Sequence, residues 1–519
     1  MLKRLFGSIS AIFAGQIFNI AGNVAVVPIF LAHWSTGVYG EWMTLSSVVS
    51  YFAVTDLGMS AAAGNVTTAA YATGNVNRYR YLQASALAFY IGVAFAASVG
   101  FALAMAFLPI PAWIGIRLIP SPVAKIAIWL LAATVLWQLP ASQLRSIYRT
   151  TGDLASTQWF WNLQFIGSLV VTYFVLLLHG GILQLAAWGC VPTVAVTAAT
   201  WFCLRRSHPE LLPKLSDARF GGIRELMSPS LFFGLIMLSS ALIVEGPVLL
   251  VSRSFGGTAV ALLVTTRTLA NVIPQAISMA KSALWPELTR LGAIGAEESL
   301  QLGHRLFSGL TMALSAAVAG ALWFEGTTVI SIWTKGKLTP DTWLLRGFLI
   351  ALVLQTPWLS SSLFALANNR HRNLAYSYGV SSVLSLVAMA LLIRPCGLLA
   401  VPLGVIVGEV FACYHFVLKD ACTFLGEDYA KFALRLWAGL ASSFCAAWTA
   451  GYLGHKIAVG PALLQWVEVG ILTTIASTLT AWVIGLLPKD RVSLRIWGLT
   501  HMSALRHSFT KSRPIESPH

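Results

Sequence analysis

The sequence predicts an all-α polytopic membrane protein: about fourteen transmembrane helices, arranged as two parallel six-helix lobes plus two C-terminal helices. Three observations carry that expectation. Hydrophobic residues make up 57% of the 519 residues and charged residues only 10%, with a mean hydropathy of +0.74. That is too little charge to clothe a soluble globule of this size. Apolar runs near 20 residues, each about enough to cross a 30 Å hydrocarbon core, recur along nearly the whole chain. Finally, the sequence starts over near its middle.

The first run, 8–31, follows Lys3-Arg4 and imitates a secretory signal. It is longer than a signal's apolar core, contains Gln16, Asn19 and Asn23, and lacks a small-x-small cleavage site, so it reads as a span. Runs at 43–66, 82–106, 123–146, 158–178 and 183–204 complete a first lobe, 1–204. A basic linker, 205–227, carries Pro209 and Pro213. Runs at 228–252, 258–280, 306–324, 342–365, 374–393 and 398–418 form the second lobe, 228–418. Two more, 432–452 and 463–487, fill 419–487, and a basic tail occupies 488–519.

The repeat has an offset of roughly 220 residues. Gly37-Val38-Tyr39-Gly40-Glu41-Trp42 is matched by Gly256-Gly257-Thr258-Ala259-Val260, Trp113 by Trp333, and Pro120 by Pro340. The polar stretch around Gly74 corresponds to that around Gly295, and Tyr148-Arg149-Thr150-Thr151-Gly152-Asp153 to Ala367-Asn368-Asn369-Arg370-His371-Arg372. Six spans per lobe is an even number, so both lobes enter the membrane in the same sense. Duplicated lobes of this kind frame a central pathway, as in transporters.

Lys and Arg set the orientation. With a cytoplasmic N-terminus, the loops on that side hold about 25 basic residues against about 6 outside, and the C-terminus is cytoplasmic too. The formal charge of +15 is therefore mostly topology. Nucleic-acid binding is excluded, because extramembrane segments of roughly 20 to 30 residues cannot fold a basic reading domain. The six cysteines are scattered, with no CxxC pair and no histidines at metal spacing, and read as packing residues. No cofactor is expected.

Polar residues inside the spans carry the chemistry, since ionisable groups at membrane depth face a hydrated path or a partner. Gln16, Asn19 and Asn23 share one face of span one, and Gln138, Ser142 and Arg145 one face of span four. Span eight is clearest, with Arg267, Asn271, Gln275 and Ser278 in one stripe. The stripes either line a cavity or glue helices together. Arg145 either joins the cavity or ends its helix at the surface, whereas Arg267 lies too deep to snorkel easily. Three carboxylates, Asp56, Glu245 and Glu409, also fall inside spans. Glu245 and Arg267 come to similar depths, roughly 10 and 13 Å from the outer ends of their spans. A pair between them would be either structural or a gate.

Val38-Tyr39-Gly40-Glu41-Trp42, followed by Asp56-Leu57-Gly58-Met59 and Asn65, resembles the opening of Wzx-type polysaccharide flippases of the multidrug/oligosaccharidyl-lipid/polysaccharide (MOP) exporter superfamily. Pro286-Glu287-Leu288, Gly295 and Ile332-Trp333 are similar to that pattern in the second lobe, and the resemblance covers most of 1–420. It implies alternating access in a bacterial cytoplasmic (inner) membrane, with polyprenyl-diphosphate-linked oligosaccharide as cargo. A polysaccharide polymerase and export proteins are the partners it implies besides the bilayer. On that reading Arg267, Asn271, Gln275, Arg145, Gln16, Asn19 and Asn23 contact cargo, and cationic residues face its diphosphate and acidic sugars. Asp56, Glu245 and Glu409 couple or gate, taking H+ or Na+ where an ion drives transport.

A cation-coupled multidrug exporter of the same superfamily is the alternative and predicts a net acidic cavity. No P-loop, HExxH, dinucleotide turn or Ser-His-Asp arrangement is present, so an enzyme is not expected. A membrane glycosyltransferase or ligase would need larger external loops than the roughly 4 to 18 residues predicted from the spans.

Overall fold

The computed structural model describes residues 2–368, 370–457, 462–485, 487–488 and 490–491, so most of the expected basic tail lies outside the described residues. No strand occurs among them. The helices of the first repeat are α1 (Leu2–His33), α2 (Thr36–Ser50), α3 (Met59–Ala72), α4 (Val76–Phe107), the short α5 (Ile110–Trp113), α6 (Ser121–Thr150), α7 (Leu154–Leu177), α8 (Ile182–Gly189) and α9 (Val191–Ser207). The second repeat holds α10 (Phe220–Phe255), α11 (Gly257–Ala270), α12 (Val272–Ala293), α13 (Glu297–Trp333), α14 (Thr342–Ala367), α15 (His371–Cys396), α16 (Ala400–Gly408) and α17 (His415–Leu425). α18 (Tyr429–Ile457) and α19 (Ala462–Thr480) follow.

Among the described residues, ten helical stretches are long and apolar enough to cross a membrane, or eleven when a bent pair counts as one span. The chain is a multi-pass membrane protein. The difference from about fourteen spans has local causes. The second expected span is split into α2 and α3 by a 3-10 turn, Tyr51–Asp56, and by left-handed Leu57 and Gly58. The stretch 372–425, read in the sequence as two spans, counts as one apolar stretch.

The repeat is visible in the backbone. Gly74 (φ 74°) and Gly295 (φ 67°) are both left-handed, each closing one helix just before the next begins at Val76 or Glu297. Trp113 and Trp333 each end a helix, and α6 and α14 each start just after the matched Pro120 and Pro340. Glycine is favoured at such a turn because it adopts positive φ without a Cβ clash.

The described residues group into two compact units. One comprises the described residues within 2–286, 325–355 and 370–417, and the other those within 287–324, 356–368 and 418–491. The long helices α13 and α14 each supply one stretch to each unit, so loop positions could not reveal this division.

Within the first unit, α2 and α11 cross at the repeated glycine motif. A Cβ on Gly40 would lie 1.7 Å from the Gly257 carbonyl oxygen, and one on Gly257 would lie 2.3 Å from the Gly37 carbonyl oxygen. Only glycine permits that backbone contact. Beside it, Glu41 is 1% exposed. Its carboxylate accepts backbone N–H groups from Arg117 and Leu118 at 2.7 Å and from Ile119 at 2.8 Å. Charge-assisted bonds of this kind stabilise an otherwise unpaired loop backbone. Arg253 donates to the Trp113 carbonyl at 2.9 Å, Trp333 Nε1 to that of Val24 at 2.7 Å, and Lys337 to that of Leu31. Phe30, Tyr39, Trp42 and Ile116 fill the adjacent apolar core. First-repeat and second-repeat elements are thus sealed together at this end of the unit.

The second unit is built around buried charge. His304 Nδ1 lies 2.8 Å from Glu427 Oε2, and His304 Nε2 lies 2.9 Å from Ser361 Oγ. Arg305 donates to Glu427 at 2.7 Å and to Asp490 at 2.8 and 3.1 Å. The His304 ring stacks on Phe432 at 4.5 Å. Burial opposes ionisation of Glu427, but hydrogen bonds and charges from His304 and Arg305 outweigh it and hold the carboxyl below its ordinary value of 4.5.

Two outcomes are expected. Gly40→Ala lowers the melting temperature in detergent by several degrees, since overpacking costs about 1–3 kcal/mol. Gly92→Ala, whose Cβ meets nothing within 4 Å, is neutral or stabilising; equal effects would contradict the crossing. The depressed Glu427 contributes stability that is complete above 4.5 and lost as pH falls through its lowered value. Glu427→Gln therefore melts below wild type at neutral pH, and the gap narrows in acid. A gap of constant size would refute the linkage.

Candidate functional site: a polar cavity at a broken helix

α11 ends at Ala270 because Pro274 has no N–H to donate to the Ala270 carbonyl and its ring crowds that oxygen. Asn271 caps the end, donating its N–H to the Arg267 carbonyl at 2.8 Å. The chain then restarts as α12, bent by 44° from α11. The break puts Arg267 on the last turn of one helix, Asn271 at the junction, and Gln275 and Ser278 on the first turns of the next.

These four residues line a 350 Å³ cavity within the first unit. Gln16 from α1, Gln355 from α14, Tyr378 from α15 and Glu409 complete its polar wall. Pro247 and Ile243 belong to its apolar wall. Pro247 withholds the N–H that would bond the Ile243 carbonyl, loosening α10 beside the cavity. Arg267 Nη1 donates to the neighbouring Val244 carbonyl. A guanidinium has five N–H donors. This is its one hydrogen bond among the described residues.

Glu409 opens a π-helical turn, Glu409–Tyr414, inserted between α16 and α17. Such turns carry one extra residue and often mark functional sites. Gln355 Nε2 donates to Glu409 Oε1 at 2.6 Å. The wall therefore holds one guanidinium, one carboxylate and four amides. Counting about 1.5 Å per residue along α11, Arg267 lies roughly 15 Å from the Gly40–Gly257 seal.

Of the residues expected to act, the structure brings Gln16, Arg267, Asn271, Gln275 and Glu409 to one cavity. It places the others elsewhere. Asn23 donates its amide to Asn19 at 2.9 Å, so both spend polar groups within α1. Arg145 is 1% exposed, donates to Gln164 at 3.2 Å and lies 4.2 Å over the Trp161 ring, turned toward α7 rather than the cavity. It neither lines the cavity nor ends a helix at the surface.

Asp56 is buried, and its Oδ1 accepts from Tyr90 Oη at 2.5 Å and from the Ser60 hydroxyl and backbone at 2.6 and 3.2 Å. It fastens the start of α3 to α4. Glu245 lines a separate 280 Å³ cavity with Ser50 and Ser240. The pair anticipated between Glu245 and Arg267 is not formed within 4 Å among the described residues, because the guanidinium bonds to the backbone of Val244 instead. Sequence reasoning missed Gln355 and Tyr378. Both lie among small hydroxyl residues, Gln355 beside Thr356 and Tyr378 beside Ser377, Ser381 and Ser382, which pass for ordinary helix-packing groups and carry no charge to mark a site.

Several solved structures are similar to this chain. Lipid II flippase MurJ in an inward closed conformation superposes with a TM-score of 0.70 at 12% identity, covering 90% of this chain and 97% of that one. An inward-facing multidrug resistance MATE family transporter of the MOP superfamily gives 0.67 at 13% identity, covering 79% and 94%. A MOP superfamily transporter from Pyrococcus furiosus, described by a binding pocket of reverse polarity, gives 0.58 at 12% identity, covering 82% and 97%. No protein-family model matches the chain, and no curated protein sequence matches it. The chain has the all-helical MATE- and MurJ-like fold of MOP superfamily transporters.

Proposed function

We propose that the chain is a flippase for polyprenyl-diphosphate-linked oligosaccharide in surface polysaccharide biosynthesis, working by alternating access in a bacterial inner membrane. The observation that carries this reading is the Arg267 guanidinium at a broken helix, lining a polar cavity with three of its own stripe mates. Two phosphate charges in hydrocarbon would cost many kcal/mol, so a headgroup crosses only where a hydrated cationic site replaces water. Arg267 would receive the diphosphate with the planar fork that suits it, while Asn271, Gln275 and Gln16 take sugar hydroxyls. The polyprenyl chain stays in lipid.

On the positive-inside reading the Gly40–Gly257 seal faces outward, and the cavity loads from the cytoplasm. Parting of that seal would release cargo. Glu245 is the gating group in this scheme, since cargo phosphate would draw Arg267 from its influence and a proton or sodium ion would neutralise it. A fold shared with a MurJ structure over 90% of the chain supports a lipid-linked cargo. A drug exporter for organic cations would want a net acidic cavity, whereas this wall balances Glu409 with Arg267.

The test is translocation of a fluorescent polyprenyl diphosphate sugar in reconstituted vesicles. A hydrogen bond to a charged group contributes about 1.5–3 kcal/mol, so Arg267→Ala is expected to slow flipping by roughly tenfold or more. Arg267→Lys, which keeps charge but not the fork, falls between. Unchanged flipping in Arg267→Ala would remove the cationic role.

A further inference from the structure

Two ionisable side chains share the cavity wall. Arg267 comes from the break between α11 and α12, Glu409 from the π-helical turn after α16, and no ion pair within 4 Å joins them among the described residues. At 350 Å³ the space falls near the small end of the ~300–1,000 Å³ range of small-molecule sites. A space of that size suits a phosphate with its first sugar.

The two side chains ask for different chemistry from a bound group. A guanidinium donates only, and suits phosphate. An ionised carboxylate accepts only. Gln355 Nε2 donates to Glu409 Oε1 at 2.6 Å, which holds the carboxyl in one orientation at the wall with that oxygen acting as acceptor. A ligand group meeting Glu409 gains if it brings hydroxyl or ammonium donors. It is repelled if it brings a second carboxylate, and in a site of low dielectric that repulsion is strong.

We propose that Glu409 is a specificity-determining residue: with the phosphate on Arg267, it admits headgroups whose first sugar is neutral or amino-bearing and excludes those whose first sugar is a uronic acid. The proposal rests on the flippase reading and departs from the expectation that the cavity favours acidic sugars. Selection comes from a repulsive element as much as from attraction, a common route to specificity. Gln355 is a positioning residue, acting through the carboxylate it holds.

The experiment compares two probes in reconstituted vesicles, polyprenyl diphosphate carrying N-acetylglucosamine and polyprenyl diphosphate carrying glucuronic acid. Wild type is expected to flip the neutral probe roughly tenfold faster than the uronate probe. Glu409→Gln, which keeps an oxygen for Gln355 to donate to, brings the two rates to within about twofold by raising the uronate rate. Gln355→Ala keeps the charge, so it keeps the exclusion while slowing the neutral probe. An unchanged ratio in Glu409→Gln overturns the proposal, and so does an equal loss of both rates, which would make Glu409 a coupling group. Loss of the exclusion in Gln355→Ala overturns it as well, and applies even if Glu409→Gln does not fold. A wild-type protein that flips neither probe overturns the flippase reading itself.

Discussion

A guanidinium carried ten residues into an apolar helix must be given hydrogen bonds and polar surroundings, or the helix cannot stay in a membrane. Arg267 obtains both from two prolines. Pro274 ends α11 one turn after Arg267, so the next polar residues start a new helix at a 44° bend and converge on the same space. Pro247 disturbs α10 alongside, and the carbonyl of Val244, just beyond the one it leaves unpaired, accepts from Arg267. The cavity is where irregular backbone at membrane depth is tolerated, because protein surrounds it and polar groups line it.

Closing the cavity at one end falls to residues with no side chain. Gly37, Gly40 and Gly257 allow α2 and α11 to touch backbone to backbone, and Glu41 then ties down the 117–119 loop beside them. At the crossing itself the contact is made by glycine backbone and a few directional hydrogen bonds, with Phe30, Tyr39, Trp42 and Ile116 packed beside it.

The fold class was legible because hydropathy and repeat period are properties of long stretches, and single errors average out. The polar stretches around Gly74 and Gly295 were legible as a matched pair for the same reason, and the left-handed turns they contain emerged only in the structure. The α11–α12 stripe was legible because three- and four-residue spacing survives the bend. Arg145 shows the limit. Its spacing matched the stripe of span four, but which neighbour a helical face meets is decided by packing, and Trp161 and Gln164 on α7 claimed it. Gln355, brought to Glu409 by tertiary packing, has no sequence pattern that could announce it. The division into compact units was hidden too, because α13 and α14 take part in both.

The cavity's charge is the point on which function turns, since one cation and one carboxylate distinguish a diphosphate-sugar site from a site for organic cations. The most direct measurement is a density map of the protein in a lipid nanodisc with a bound polyprenyl diphosphate sugar. The account predicts phosphate density within hydrogen-bond distance of the Arg267 guanidinium and sugar density toward Glu409. Phosphate density elsewhere, with Arg267 still bonded to Val244 and the cavity empty, would contradict it.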